Sequence, residues 1–316
     1  GPVREARGGV AAAVTASAIW GSGPILFHLL AHVPPVELLA QRILWGAVFV
    51  GAFCAVTGRL ARIAATLADA RAVAPLALSA ALVTVNWGTF IWAVQAGRAL
   101  EAGIGYYVMP IVSVALGVAF LGERLTRPQW GAVALAVLAV AMLGLGTGSA
   151  PWVPLTLATS FGLYGLIRKR VATGAIVGFQ VETLLLLPFA IGWIAAVQFV
   201  GATGPSGRAG GLFGADAWTT GLMIVSGLFT ALPLVLFAEA ARRLPYAATG
   251  MIQYLNPTLQ VATAVLILGE AVTPWHLAAL PVIWAGLALY SADAVRRERA
   301  ARRLSTASSG VSTTPK

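Results

Sequence analysis

Apolar residues fill this chain in long runs, separated by short segments rich in arginine, glycine or proline. A helix that crosses a bilayer needs about 20 mainly apolar residues. Such runs lie near 9–30, 36–57, 73–96, 100–121, 128–146, 151–168, 175–200, 216–240, 245–268 and 274–293. The pattern predicts an all-α membrane protein of ten transmembrane helices. The sixth run is short and rich in Gly and Ser/Thr; without it the count would be nine and the C-terminus would change sides.

The basic residues orient the spans. With the N-terminus inside, the inner segments and the tail hold 18 of the 21 Lys and Arg residues, the outer loops hold Arg98 and Arg208, and Arg42 lies within a span. An excess of Lys/Arg on cytoplasmic loops is the positive-inside signature, and a miscounted span would scramble it. Both termini are therefore expected in the cytoplasm of a bacterial cell, with the chain in the inner membrane.

Composition agrees. The chain is 59% hydrophobic and 10% charged, where a soluble domain carries about 25% charged residues. The net charge of +10 reads as topology, not nucleic-acid affinity. The basic run at 296–303 reads as a solvated tail that could also touch anionic lipid. The single cysteine, Cys54, lies in an apolar run and reads as packing; no disulfide can form within the chain. Gly1-Pro2 look like a protease-cleavage remnant and are left out of the fold reading. No cleavable signal peptide is expected, since no clear cleavage site and soluble domain follow the first apolar run.

An internal repeat gives the layout. At an offset of 147, residues 106–126 match 253–273 at nine of 21 positions, among them Tyr107/Tyr254, Pro110/Pro257, Gly122/Gly269, Glu123/Glu270 and Thr126/Thr273. The copies end the fourth and ninth spans, so the unit is five helices. A unit with an odd number of spans inserts upside down the second time, which is a hallmark of secondary transporters with a site near the midplane. The expected units are 9–146 and 151–293, followed by a basic tail, 294–316. In both copies Thr precedes a Pro, as a helix N-cap precedes a first-turn residue. Glu123 and Glu270 read first as caps or anchors of that turn, and second as coupling groups.

At this point the chain resembles a family. Ala18-Ile-Trp20-Gly21, Arg42, and Leu-Gly-Glu-Arg-Leu-Thr at 121–126 with its echo at 268–273 resemble the EamA-type members of the drug/metabolite transporter superfamily. Asn86-Trp87-Gly-Thr-Phe90-Ile-Trp92-Ala, Leu100-Glu101-Ala, Gly105-Tyr106-Tyr107-Val-Met-Pro110, Ser160–Leu166 and Gln253–Thr258 look most like its RarD branch. The resemblance covers about residues 9–293. It implies a ten-helix fold and export of small metabolites. The superfamily's amino-acid exporters (YddG-like) share that architecture, while RarD-like proteins are tied to chloramphenicol sensitivity.

Ionisable groups within spans are costly and mark functional candidates. Arg42 lies in the second span and Glu182 in the seventh, its repeat counterpart. Arg42 could attract a substrate carboxylate, and Glu182 could pair with a substrate amine or carry a proton; structural pairing or snorkelling is the competing reading for both. Glu239, beside Arg242 and Arg243, reads as interfacial. The expected substrate-binding set is uncharged: Trp20, Asn86, Trp87, Phe90, Tyr106, Tyr107, Tyr164, Gln253, Tyr254 and Asn256. Aromatic walls supply apolar area and Asn/Gln supply hydrogen bonds, as an amino acid needs. Gln95 could line a vestibule. Gly21–Pro24 and Gly165 are expected to break or kink their helices, which is tolerated where backbone faces a cavity. Trp45, Trp130, Trp152, Trp218 and Trp275 suit the interfacial belts. The Gly-rich segment 201–215 reads as a flexible outer loop.

No metal-ligand spacing, phosphate-binding loop or catalytic triad is evident, so no cofactor and no enzyme activity are expected. The partners expected are a small-molecule substrate and the lipid bilayer, with no nucleic acid; a monomer would suffice. The leading expectation is export of amino acids or similar metabolites by alternating access. The second is export of amphipathic drugs or other xenobiotics, and the third is a channel or membrane enzyme. Proton coupling and facilitated diffusion both stay open.

Overall fold

The computed structural model describes residues 2–122, 124–148, 150–244 and 251–309, with side chains left aside at 2–6, 302 and 304–309. Among the described residues the chain is helical and has no strand. The first half contains α1 (Pro2–Gly21), α2 (Gly23–Leu29), α3 (Pro35–Val56), α4 (Leu60–Ala68), α5 (Ala70–Gln95), α6 (Ala99–Leu121) and α7 (Arg127–Thr147). The second contains α8 (Trp152–Arg170), α9 (Ala175–Ala195), α10 (Ala217–Arg243), α11 (Leu255–Ala262) and α12 (Pro274–Ser309). Helices α9 and α11 each run on through a turn of π-helix, Ala196–Val200 and Thr263–Ile267.

Eight stretches of described helix are long and apolar enough to cross a membrane. They correspond to the expected spans one to five, seven, eight and ten. The expected sixth span is α8, a continuous helix whose polar residues and terminal Arg168-Lys169-Arg170 keep it less apolar than the others. The expected ninth span is described only from Met251, since 245–250 lie outside the described residues.

The expected break in the first span occurs at Ser22, between α1 and α2, where Pro24 enters the first turn of α2 without an N–H. The expected break at Gly165 does not occur. Helix α8 passes through it, because one glycine costs a helix only about 1 kcal/mol. Helix α4, an amphipathic helix of about two and a half turns carrying Arg62, fills a segment read as an inner loop.

The extensive helix contacts are α6 with α8, α7 with α12, α1 with α10, α3 with both α9 and α10, and α5 with α8; α11 lies against α1 and α6. Small residues let these backbones approach, as is usual between helices in lipid. A Cβ on Gly105 would lie 2.9 Å from Pro154 Cα across the α6–α8 contact, and one on Gly227 only 2.6 Å from the Gly46 nitrogen across α10–α3. Large apolar side chains such as Leu145, Phe189, Phe199 and Leu266 face outward, while Asn86, Glu182, Gln180 and Thr230 are buried.

The expected caps form. Thr126 accepts from the Gln129 N–H and its own N–H donates to Gln129 Oε1 at 3.0 Å. Thr273 and His276 repeat the arrangement, with Thr273 N–H donating to His276 Nδ1 at 3.2 Å. Gly122 and Gly269 both take the left-handed conformation. Glu123 lies outside the described residues. Glu270 does not cap its own turn. Its carboxylate accepts from the N–H groups of Ala99 and Leu100, at 2.6 and 2.7 Å, at the start of α6.

Segment 201–216 is not the free loop its glycines imply. The buried Glu37 carboxylate accepts from the Gly211 and Leu212 N–H groups, and Arg208 donates to Ala31 O and Gln95 Oε1. Gln95 in turn donates to Leu30 O and Val33 O. Glycine here supplies the positive φ of Gly211 (78°) that turns the chain onto Glu37.

Candidate functional site

Helix α3 carries Arg42 into the interior, where it is 7% exposed. Its Nε donates to Thr230 Oγ1 on α10 at 2.8 Å. The guanidinium carbon lies 4.4 Å from the Trp87 ring centroid on α5 and 5.3 Å from that of Phe27 on α2. Nη1 is buried and has no hydrogen-bond partner. Trp87 also lies 5.8 Å from Phe179, and so belongs to the α3–α5–α9 contact.

One helical turn along α5, Phe90 meets Phe27 edge-on at 5.7 Å and Tyr106 at 5.9 Å. Tyr106 meets Phe161 on α8 at 6.4 Å, and Phe161 stacks on Tyr164 at 5.2 Å. Tyr164 donates to Glu182 Oε2 on α9 at 3.1 Å. Phe27, Phe90, Tyr106, Phe161 and Tyr164 thus form a continuous aromatic row with Arg42 at one end and Glu182 at the other.

Asn86 fixes the middle of the row. Its Nδ2 donates to Leu157 O at 3.0 Å and to Ser160 Oγ at 3.1 Å, tying α5 to α8. Its Oδ1 accepts from the Tyr106 hydroxyl at 2.8 Å. Both amide hydrogens are therefore taken by protein groups, and the side chain acts by holding Tyr106.

Glu182 is buried and fully engaged. Ser79 on α5 and Tyr164 donate to it, and Arg168 Nε lies 3.6 Å from Oε1. This is the pairing reading of Glu182. Glu239 pairs with Arg243 and Arg242 on an exposed face, as expected.

The other expected residues gather around α11. Tyr107 points away from Tyr106: its hydroxyl pairs with Thr258 and its ring faces Trp284. Asn256 accepts from Gln260 at 2.8 Å. Gln253 is exposed and Tyr254 half-buried. Trp20 lies 6.0 Å from Phe237 on α10, apart from the row, while its neighbour Gly21 packs closely on Leu259 and Asn256. Phe27, Phe161, Ser79, Thr230 and Arg168 were missed as site residues. For Ser79 and Thr230 the available signal was a hydroxyl inside an apolar run; Arg168 was counted only as loop charge.

Among the described residues no group of three His, Cys, Asp or Glu side chains could hold a metal ion. A bundle of membrane-length helices with inward polar groups and an aromatic row between buried charges defines a helical membrane protein with a functional interior. Residues 7–145 match the EamA-like transporter family. An uncharacterized transporter of Pseudomonas aeruginosa is 42% identical over 93% of this chain and 96% of its own length. Protein RarD of Streptomyces exfoliatus is 38% identical over 98% and 97%, and protein RarD of Salmonella typhimurium 39% over 94% and 98%. The chain belongs to the EamA-like transporter family of the drug/metabolite transporter superfamily, in its RarD branch. It is a membrane transporter and not an enzyme. A solved crystal structure 18% identical in sequence, covering 91% of this chain and 97% of its own, shares the fold with a TM-score of 0.58.

Proposed function

We propose that this transporter exports amino acids or similar small metabolites across the bacterial inner membrane by alternating access. The observation that carries this reading is the aromatic row between the buried Arg42 and Glu182. It offers apolar area together with charge, the combination an amphipathic metabolite needs. Phe90, Tyr106 and Tyr164 of the row, with Asn86 and Trp87 beside it, line the pathway on one side. Trp20, Tyr107, Gln253, Tyr254 and Asn256 contribute from around α11.

The layout that supports alternating access is ten spans in two inverted five-helix repeats, 9–146 and 151–293, followed by a basic tail, 294–316. Exchanging repeats turns the α6–α8 contact into α11–α1, α5–α8 into α10–α1, and α3–α10 into α9–α5; each of these pairs packs together. The α3–α9, α7–α12 and α6–α11 contacts map onto themselves. The paired caps at Thr126 and Thr273 follow the same exchange. With both termini cytoplasmic, Glu37, Arg208 and Glu270 fasten the outer end, and opening there would release those contacts.

The test is a panel of labelled amino acids in proteoliposomes containing the purified chain. Flux of at least one is expected; no flux of any, from correctly folded protein, removes the amino-acid reading. A second reading, export of amphipathic drugs, is favoured by the apolar stretch Phe27–Phe90 of the row. Raised drug resistance on overexpression, without amino-acid flux, would select it.

A further inference from the structure

The buried and half-buried acids among the described residues have partners. Glu182 has Arg168, Ser79 and Tyr164. Asp293 has Arg296 and the Thr126 hydroxyl. Glu37 and Glu270 each take two backbone N–H groups. Arg42 differs. It forms no ion pair among the described residues, although it is more than nine-tenths buried. Among the described residues its only side-chain hydrogen bond is to neutral Thr230, and Nη1 is left without an acceptor. A buried charge without its opposite is expensive to keep, and in a membrane interior it marks a functional site.

The surroundings limit what could complete it. Trp87 and Phe27 flank the guanidinium, with Phe90 and Tyr106 beyond them. The Tyr106 hydroxyl hydrogen is committed to Asn86. The carboxylate at the far end of the row, Glu182, is already held by protein groups. A solute admitted beside Arg42 would therefore meet a cationic N–H donor and aromatic surface, with no free carboxylate among the described residues. A carboxylate suits the planar guanidinium. An ammonium group would meet Arg42's charge, and Arg42 itself already occupies the Trp87 and Phe27 ring faces.

We propose that Arg42 is the anion subsite of the transport pathway, selecting aromatic carboxylates by their carboxylate and apolar body and ignoring any amine. The carboxylate binds Nη1 while the ring lies along Phe27, Phe90 and Tyr106. Amino acids fit this class through their carboxylate alone. The inference rests on the transporter reading and narrows its substrate.

The experiment uses the full chain in proteoliposomes and follows labelled 3-phenylpropanoate, with unlabelled phenylalanine and phenethylamine as competitors. Phenylalanine should compete comparably with unlabelled acid, and phenethylamine at least about tenfold more weakly, the scale of one charge-assisted hydrogen bond. Arg42→Gln should weaken 3-phenylpropanoate binding at least about tenfold, with a melting temperature unchanged or raised because an uncompensated charge is gone. Arg42→Lys should recover part of the binding. Equal competition by phenethylamine, or unchanged binding in Arg42→Gln, overturns the proposal. If Arg42→Gln fails to fold, competition on the unaltered protein still decides. Flux that ignores the carboxylate overturns this inference and leaves the transporter reading standing; no flux across both this panel and the amino-acid panel overturns both.

Discussion

Arg42 and Glu182 hold the same register in two helices that pack against each other: each is the eighth residue of its helix, counted from Pro35 in α3 and from Ala175 in α9. Each also meets a hydroxyl from another helix, Thr230 on α10 for Arg42 and Ser79 on α5 for Glu182. The two sites differ in their counter-charge. Glu182 has Arg168, and Arg42 has none among the described residues.

That difference predicts opposite responses to neutralisation. Glu182→Gln leaves Arg168 facing a neutral group, at a site where the acid is 1% and the arginine 12% exposed. Breaking one side of a buried pair costs about 3–5 kcal/mol, and Arg168's access to solvent puts the expected loss near the lower figure. The double variant Arg168→Gln/Glu182→Gln should recover most of it. Melting curves in detergent check both; a Glu182→Gln protein as stable as the parent would show the pair contributes nothing. Flux should keep its pH profile in Glu182→Gln, because every partner of this carboxylate is a protein group. Loss of a titration step would instead put Glu182 on a proton path.

Glycine positions give a second prediction because two of them contrast. Gly227→Ala drives a methyl group into the Trp45–Gly46 backbone across the α3–α10 contact, where backbone cannot move aside cheaply. Overpacking of this kind costs about 1–3 kcal/mol, and the higher figure is expected. Gly165→Ala meets nothing within 4 Å in an unbroken helix. It should be neutral or stabilising by up to about 1 kcal/mol through helix propensity. Thermal unfolding of the two variants checks the ranking.

Helix positions were legible in the sequence because apolar runs of membrane length have few alternative readings, and Thr-Pro caps are local chemistry. Arg42 and Glu182 were legible because charge inside an apolar run is rare. What could not be read was which residues meet across the bundle. Tyr106 and Tyr107 are adjacent, yet one faces Asn86 and the other Thr258, since neighbouring positions on a helix point about 100° apart. Glu37 lies in the first turn of α3, and only tertiary structure brings Gly211 and Leu212 to it. Arg168 looked like loop charge, and only tertiary structure brings Glu182 within reach of it.

Glu270 supplies the pH-dependent prediction. Burial pushes its carboxyl up from the ordinary value of 4.5, against the opposing pull of the Leu100 and Ala99 N–H groups. A carboxyl raised on folding favours the folded state fully below the unfolded value, and that contribution is lost as pH rises through the folded value. Glu270→Gln resembles the protonated form, so it should flatten the fall in stability between about pH 4.5 and neutrality. Melting temperatures of parent and variant across that range check the sign; a steeper fall in the variant would contradict it.

The last prediction separates holding from touching. Asn86 spends both amide hydrogens on α8 and its carbonyl on Tyr106. Asn86→Ala removes three hydrogen bonds and leaves space at a fully buried position, so it should destabilise by about 2–4 kcal/mol. Tyr106→Phe removes one of those bonds and keeps the ring between Phe90 and Phe161, so about 1 kcal/mol is expected. The double variant should cost less than the sum, because both singles break the same bond. Transport should separate them further. With its ring retained, Tyr106→Phe should keep its apparent substrate affinity, whereas Asn86→Ala frees that ring and should raise KM. Equal KM increases in both variants would mean that the Tyr106 hydroxyl itself meets the substrate, and would move Asn86 from holding the site to sharing in it.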